Sequence, residues 1–186
     1  MEKNGIDETF LNDINRSIQN DKSNIDSMKG FEVISESIVY KVLDLFGKNS
    51  LLSMLYQTGS GAGEAMTKKI KQKYAKNEFS IFEALKILMT ELSDFYSMQI
   101  REVQTFSDHI KIIIENFCFL RDPYSHRGNL KPGKVFCRIN KGYFETAFRK
   151  LLGDKIKKIE INFLHDDPEN DVCVEEIIFY HKLETI

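Results

Sequence analysis

The hydrophobic period of this sequence changes twice from that of a helix to that of a β-strand. Residues 98–103 and 110–114 alternate apolar and polar side chains, and the turn-forming sequence TFSD at 105–108 separates them. Because successive side chains of a strand point to opposite faces, this pattern predicts a β-hairpin. Residues 156–165 and 172–181 flank the turn-rich sequence DDPEND and predict a second hairpin.

The segments outside the hairpins have the apolar spacing of helices. Three predicted helices precede the first hairpin; the first ends at Gly47, a natural helix stop, and the third begins at Ser80, which has capping-box spacing with Glu83. A fourth, from Lys134 to Leu152, lies between the hairpins and ends before Gly153. In the first helix, five apolar residues fall on one face: Ile34, Ile38, Val42, Leu45 and Phe46.

The predicted order of elements is therefore ααα-ββ-α-ββ. It indicates an α+β fold, a four-stranded antiparallel sheet of two hairpins with helices packed on it. Residues 1–30 are polar and predict an N-terminal extension or linker, in which a short amphipathic helix is possible, and residues 31–186 predict one folded domain.

The charge balance excludes few functions but argues against a general nucleic-acid binder. Lys and Arg number 26 against 28 Asp and Glu, for a net charge of −2, whereas nucleic-acid binders carry a basic excess. No apolar run is long enough to span a bilayer, and the polar N-terminus does not predict a signal peptide. Three cysteines in a chain of this length predict reduced thiols and a cytoplasmic protein.

The glycine cluster GSGAG at 59–63 is not a phosphate-binding loop. A P-loop requires Gly-Lys-Ser/Thr after the loop, and here Glu64 follows, where a dinucleotide-binding pattern would need its third glycine. The cluster also follows a helix rather than a strand. We expect these glycines to permit close helix packing or a kink.

The sequence contains no Ser-His-Asp order or nucleophile elbow. Cys118 beside His126, or Cys137, is an alternative nucleophile, but the pattern favours a binding protein over an enzyme. The 14 Phe and 7 Tyr residues predict an apolar core and allow an apolar cavity between helices and sheet. The residues that we expect to line such a cavity are Tyr56, Phe117, Phe136 and Phe144.

A metal site is a further hypothesis. His165 and Cys173 flank the turn of the last hairpin, Cys137 opens the preceding helix, and Glu160 lies on the same strand as His165. Zinc takes three or four such donors. No Cys-x-x-Cys pair is present, and the alternative is that both cysteines are small core residues and His165 a turn residue.

Four segments resemble the 4-vinyl reductase-type, or hydrocarbon-binding, domain family: LLSMLYQTGSGAGEAM, IIIENFCFLR, KVFCRINKGYFETAFRKLLG and KKIEINFLHDDPENDVCVEEIIFY. The resemblance covers about residues 31–180. It implies a ligand-binding domain, commonly a homodimer, with an apolar pocket for a hydrocarbon, an aromatic molecule or an acyl chain, and a sensory role.

The resemblance also implies a possible Zn²⁺ site. Cys137, Glu160 and Cys173 match three of its ligand positions. At the remaining position this sequence departs from the pattern, since Phe163 stands there and His165 is the one available substitute. The fold is similar as well to that of the TRAPP vesicle-tethering subunits, which implies an alternative function as a protein-interaction scaffold without metal.

Overall fold

A computed structural model describes this protein as two compact units, Met1–Val42 and Leu43–Ile186. The helices are α1 (Glu8–Asn20), α2 (Ser27–Tyr74), α3 (Ile81–Glu91) and α4 (Cys137–Leu152), and the strands are β1 (Tyr96–Thr105), β2 (His109–Cys118), β3 (Ile156–Asp167) and β4 (Val172–His181). The structure describes residues 8–20, 27–94, 96–118, 135–167, 169–170 and 172–181. The segment between β2 and α4, residues 119–134, lies outside these residues.

Helix α2 is interrupted at Gly47, where the sequence predicts a helix stop. The backbone there has φ 76° and ψ 172°, a left-handed conformation that glycine adopts without strain, and the chain then resumes the helix. The apolar face that the sequence indicates for this helix is largely exposed. Ile34 and Ile38 are 61% and 57% exposed, whereas Val39 is 4% exposed. Hydrophobic periodicity identifies an apolar face, but it does not show what covers that face.

The four strands in the described part of the chain form one antiparallel sheet in the order β1-β2-β4-β3. Both predicted hairpins are present, since β1 pairs with β2 and β3 pairs with β4. The second hairpin inserts β4 beside β2, with Ile112 opposite Ile177. The predicted α+β class is therefore confirmed.

Helices α3 and α4 bury the inner face of the sheet. Leu88 of α3 and Phe148 of α4 belong to one buried cluster with Ile112, Ile177 and Phe179 of the sheet. The predicted capping box is present at the start of α3: the Ser80 hydroxyl accepts from the Glu83 backbone N–H, and the Glu83 carboxylate accepts from the Ser80 N–H. Gly153 ends α4 at φ 63°.

The glycine cluster allows α2 and α4 to cross in direct backbone contact. A Cβ atom on Gly59 would collide with the backbone oxygen of Ile139, and one on Gly142 would collide with that of Tyr56. A Cβ atom on Gly63 would collide with the backbone oxygen of Tyr143 in α4. The prediction that the cluster serves helix packing is confirmed for Gly59 and Gly63, whereas a Cβ atom on Gly61 would meet nothing within 4 Å. Among the described residues, no helix is both long and apolar enough to cross a lipid bilayer.

Candidate functional site

The inner face of the sheet changes from apolar to polar along its central strands. In β2 the buried positions run from Ile112 to Asn116 and Cys118, and in β4 they run from Phe179 to Glu175 and Cys173. Because Asn116 is paired with Cys173 in the antiparallel register, the polar ends of both strands meet. The result is a buried polar patch beside the start of α4.

One part of this patch is a chain of hydrogen bonds from β1 through α4 to β2. The Tyr96 hydroxyl donates to Asn140 Oδ1 at 2.5 Å, and Asn140 Nδ2 donates to Cys118 Sγ at 3.3 Å. Burial raises the pKa of Tyr96 well above its usual value. Tyr96 therefore stays a neutral hydrogen-bond donor, and the network fixes the first turns of α4 on the sheet.

The second part of the patch joins β2 to β4. The Asn116 amide donates to the Glu175 carboxyl. Both residues are buried, with Asn116 1% and Glu175 6% exposed. Burial raises the pKa of Glu175 to about 7, while the hydrogen bond from Asn116 lowers it. Among the residues that the structure describes, Asn116 Oδ1 has no hydrogen-bond partner.

A pocket of about 240 Å³ lies between this patch and the N-terminal half of α4. Phe144, Ile161 and Phe163 form its apolar walls, and Glu175 is its buried acidic residue. The remaining lining residues are polar or thiol-bearing: Cys137, Arg138, Asn140, Lys141 and Asn162. Small-molecule sites are commonly concave and combine apolar walls with convergent polar groups, as this pocket does.

The structure separates the four residues predicted to contact a ligand. Phe144 lines the pocket, and Phe136 is buried just before α4 begins. Tyr56 lies at the crossing of α2 and α4, where its ring centroid is 5.8 Å from the Arg138 guanidinium. Phe117 alternates with buried residues of β2 and so lies on the opposite face of the sheet.

The four predicted metal ligands are not brought into one set. Cys137 lines the pocket and Cys173 is buried, but Glu160 alternates with the inward-facing residues of β3. On the outer face, the Glu160 carboxylate contacts Lys158 Nζ and accepts from the Tyr180 hydroxyl at 3.2 Å.

His165 is exposed and follows a register shift in β3. No group of three or more His, Cys, Asp or Glu side chains suited to a metal occurs among the described residues. The arrangement does not fit the implied ligand set, and zinc stays a prediction that metal analysis of the purified protein would test.

Sequence reasoning missed the residues that make the patch polar, chiefly Asn116, Asn140 and Glu175. A signal for Asn116 was present, because it continues the inward positions of Ile112 and Ile114 along β2. The alternative nucleophile Cys118 is buried and accepts a hydrogen bond from Asn140. Its suggested partner, His126, lies outside the described residues.

Comparison with known proteins relates this chain to a sensory domain by fold. No protein-family model matches the sequence, and no curated protein sequence matches it. Among solved structures, it is similar to the phenol-responsive sensory domain of the transcription activator PoxR, determined with phenol. The match has 15% identity and a TM-score of 0.53, and covers 80% of this chain and 74% of that chain. At this identity, the likeness shows the fold alone.

Proposed function

We propose that this chain is a ligand-binding sensory domain of the 4-vinyl reductase type, and that it takes up a small hydrophobic molecule in the pocket beneath α4. The observation that carries the proposal is the pocket itself, with Phe144, Ile161 and Phe163 as apolar walls. The fold supports the proposal, because the sensory domain of PoxR, which is similar in fold, responds to phenol.

The volume of the pocket favours a ligand of one ring. An engineered cavity of about 150 Å³ is large enough to hold benzene. The pocket here, at about 240 Å³, therefore has room for one ring with small substituents. This match in size leads us to expect a small aromatic ligand rather than the acyl chain of the scaffold alternative.

Thermal unfolding with a panel of single-ring and acyl ligands tests this function. A ligand that binds only the folded state raises the melting temperature with its concentration. We expect single-ring aromatics to raise it and long fatty acids to have no effect. Phe163→Ala should weaken the response because Phe163 lines the pocket, whereas Leu164→Ala, at a 45% exposed neighbour, should preserve it. A flat response to every aromatic would contradict the proposal.

We also propose that two copies of the chain associate through the first part of α2. Phe31, Ile34 and Ile38 follow one another at helical spacing and are all 57% or more exposed. Exposed apolar surface of this kind commonly marks a protein interface. A second copy presents the same surface, which is the condition for a symmetric homodimer.

A further inference from the structure

We infer that the pocket beneath α4 binds a small aromatic acid that carries a hydroxyl or amino group at the end opposite its carboxylate. The inference rests on the proposed function and deepens it, because it assigns a chemical group to each end of the ligand. Three features of the pocket support it: the buried Glu175 carboxyl, two cations on its more exposed side, and apolar walls.

The buried end of the pocket has more hydrogen-bond acceptors than donors. The Glu175 carboxyl receives one hydrogen bond, from the Asn116 amide. An ionised carboxylate has about four lone-pair sites to fill, and Glu175 is the carboxyl that lines the pocket. The donors nearby are committed elsewhere, since Tyr96 donates to Asn140 and Asn140 donates to Cys118. A ligand that brings a hydroxyl or amino group supplies what this end lacks.

The more exposed side of the pocket, here called its mouth, carries two positive charges, since Arg138 is exposed and Lys141 is half-buried. Arg138 and Lys141 both line the pocket, and residues three apart in a helix are neighbours on its surface. Within the described parts of the chain, neither forms an ion pair, and the Arg138 guanidinium lies over the Tyr56 ring. Cations that line a partly buried pocket favour an anionic group, and a carboxylate accepts hydrogen bonds from both side-chain types.

The apolar walls between these two ends determine the body of the ligand. Phe144, Ile161 and Phe163 line the same pocket as Glu175 and the two cations. An aromatic ring fills this space and holds its two substituents apart, so that the donor reaches Glu175 while the carboxylate stays near Arg138. A hydrocarbon without polar substituents would supply no further donor to the buried Glu175 carboxyl.

Four single-ring probes separate the two polar contacts. They are 4-hydroxybenzoate, which has both groups, benzoate, which has the carboxylate alone, phenol, which has the hydroxyl alone, and toluene, which has neither. We expect calorimetry at neutral pH to show 4-hydroxybenzoate binding roughly tenfold more tightly than benzoate or phenol. We expect toluene to bind most weakly, and 4-aminobenzoate to behave as 4-hydroxybenzoate does.

Variants assign each contact to its end of the pocket. The double variant Arg138→Gln/Lys141→Gln should weaken 4-hydroxybenzoate and benzoate while preserving phenol. Glu175→Gln should weaken 4-hydroxybenzoate and phenol while preserving benzoate. Lys150→Gln, an exposed position of α4 outside the pocket lining, is the matched control and should leave all four affinities unchanged.

The outcomes distinguish this inference from the proposed function. Equal affinity for phenol, toluene and 4-hydroxybenzoate would overturn the inference but support a hydrophobic binding domain. Failure of all four probes to bind the folded protein would overturn both. A selective loss of the acids in the Arg138→Gln/Lys141→Gln variant would support the inference even if Glu175→Gln failed to fold.

Discussion

The Asn116 amide of β2 hydrogen-bonds the Glu175 carboxyl of β4 inside the layer between sheet and helices. This pair replaces apolar contacts at positions where the same strands otherwise bury Ile112 and Ile177. Burial of a carboxyl with a single neutral partner costs stability, because the charged form loses its hydration. A group that costs stability and lines a pocket is consistent with a role in binding rather than in folding.

The first prediction concerns the pH dependence of stability. The Glu175 pKa is about 7 in the folded protein against an ordinary 4.5. Below pH 4.5 the carboxyl is protonated in both the folded and unfolded states and has no differential effect. As the pH rises from about 4.5 to about 7, the unfolded state releases this proton while the folded state keeps it, so the free energy of unfolding falls by about 3 kcal/mol and is level above pH 7.

Glu175→Gln should abolish this fall, since the amide does not titrate. Urea unfolding at pH 5 and pH 8 measures the fall in the free energy of unfolding in the wild type and in the variant. The matched control is Glu176→Gln, because Glu176 is next in sequence but on the other sheet face, where its carboxylate accepts from Asn162 at 3.1 Å. This control retains Glu175 and should retain the fall. If Glu175→Gln lost as much stability between pH 5 and pH 8 as the wild type does, the fall could not be assigned to Glu175.

The hairpins, the α3 capping box and the glycine crossing were predictable because each depends on local spacing. The pocket was only partly predictable from the sequence. The alternation that puts Ile159 and Ile161 inward also puts Glu160 outward, so the sequence already argued against Glu160 as a partner of Cys137. The position of Asn140 depends on how α4 lies on the sheet. That is a tertiary relationship, and one sequence does not determine it.

The second prediction concerns the crossing of α2 and α4. Gly142→Ala places a Cβ against the Tyr56 backbone oxygen, and backbone atoms cannot move aside as side chains can. We expect a loss of about 1–3 kcal/mol in the free energy of unfolding. Gly61→Ala is the control, because a Cβ there meets nothing within 4 Å, and alanine should stabilise the helix by about 0.5–1 kcal/mol. Similar values for the two variants in urea unfolding would contradict direct backbone contact.

The third prediction concerns the exposed face of α2. The wild type should be a dimer at micromolar concentration by sedimentation equilibrium, and Ile34→Glu/Ile38→Glu should be a monomer, since charged side chains would be buried in the interface. Ser37→Glu adds a charge at another exposed position of the same helix and should preserve the dimer. A monomeric wild type, or a dimer unaffected by the double variant, would show that this face does not mediate association.

The fourth prediction concerns the three thiols. Cys137 is half-buried at the pocket, whereas Cys118 and Cys173 are buried. An alkylating reagent should therefore label Cys137 first in the folded protein, and the other two at least roughly tenfold more slowly, since their labelling requires local opening.

A ligand in the pocket should slow the labelling of Cys137, and the Cys137→Ser variant should lose the first phase. Labelling of Cys118 at the rate of a small-molecule thiolate would instead favour the nucleophile alternative, because a catalytic thiolate must be accessible.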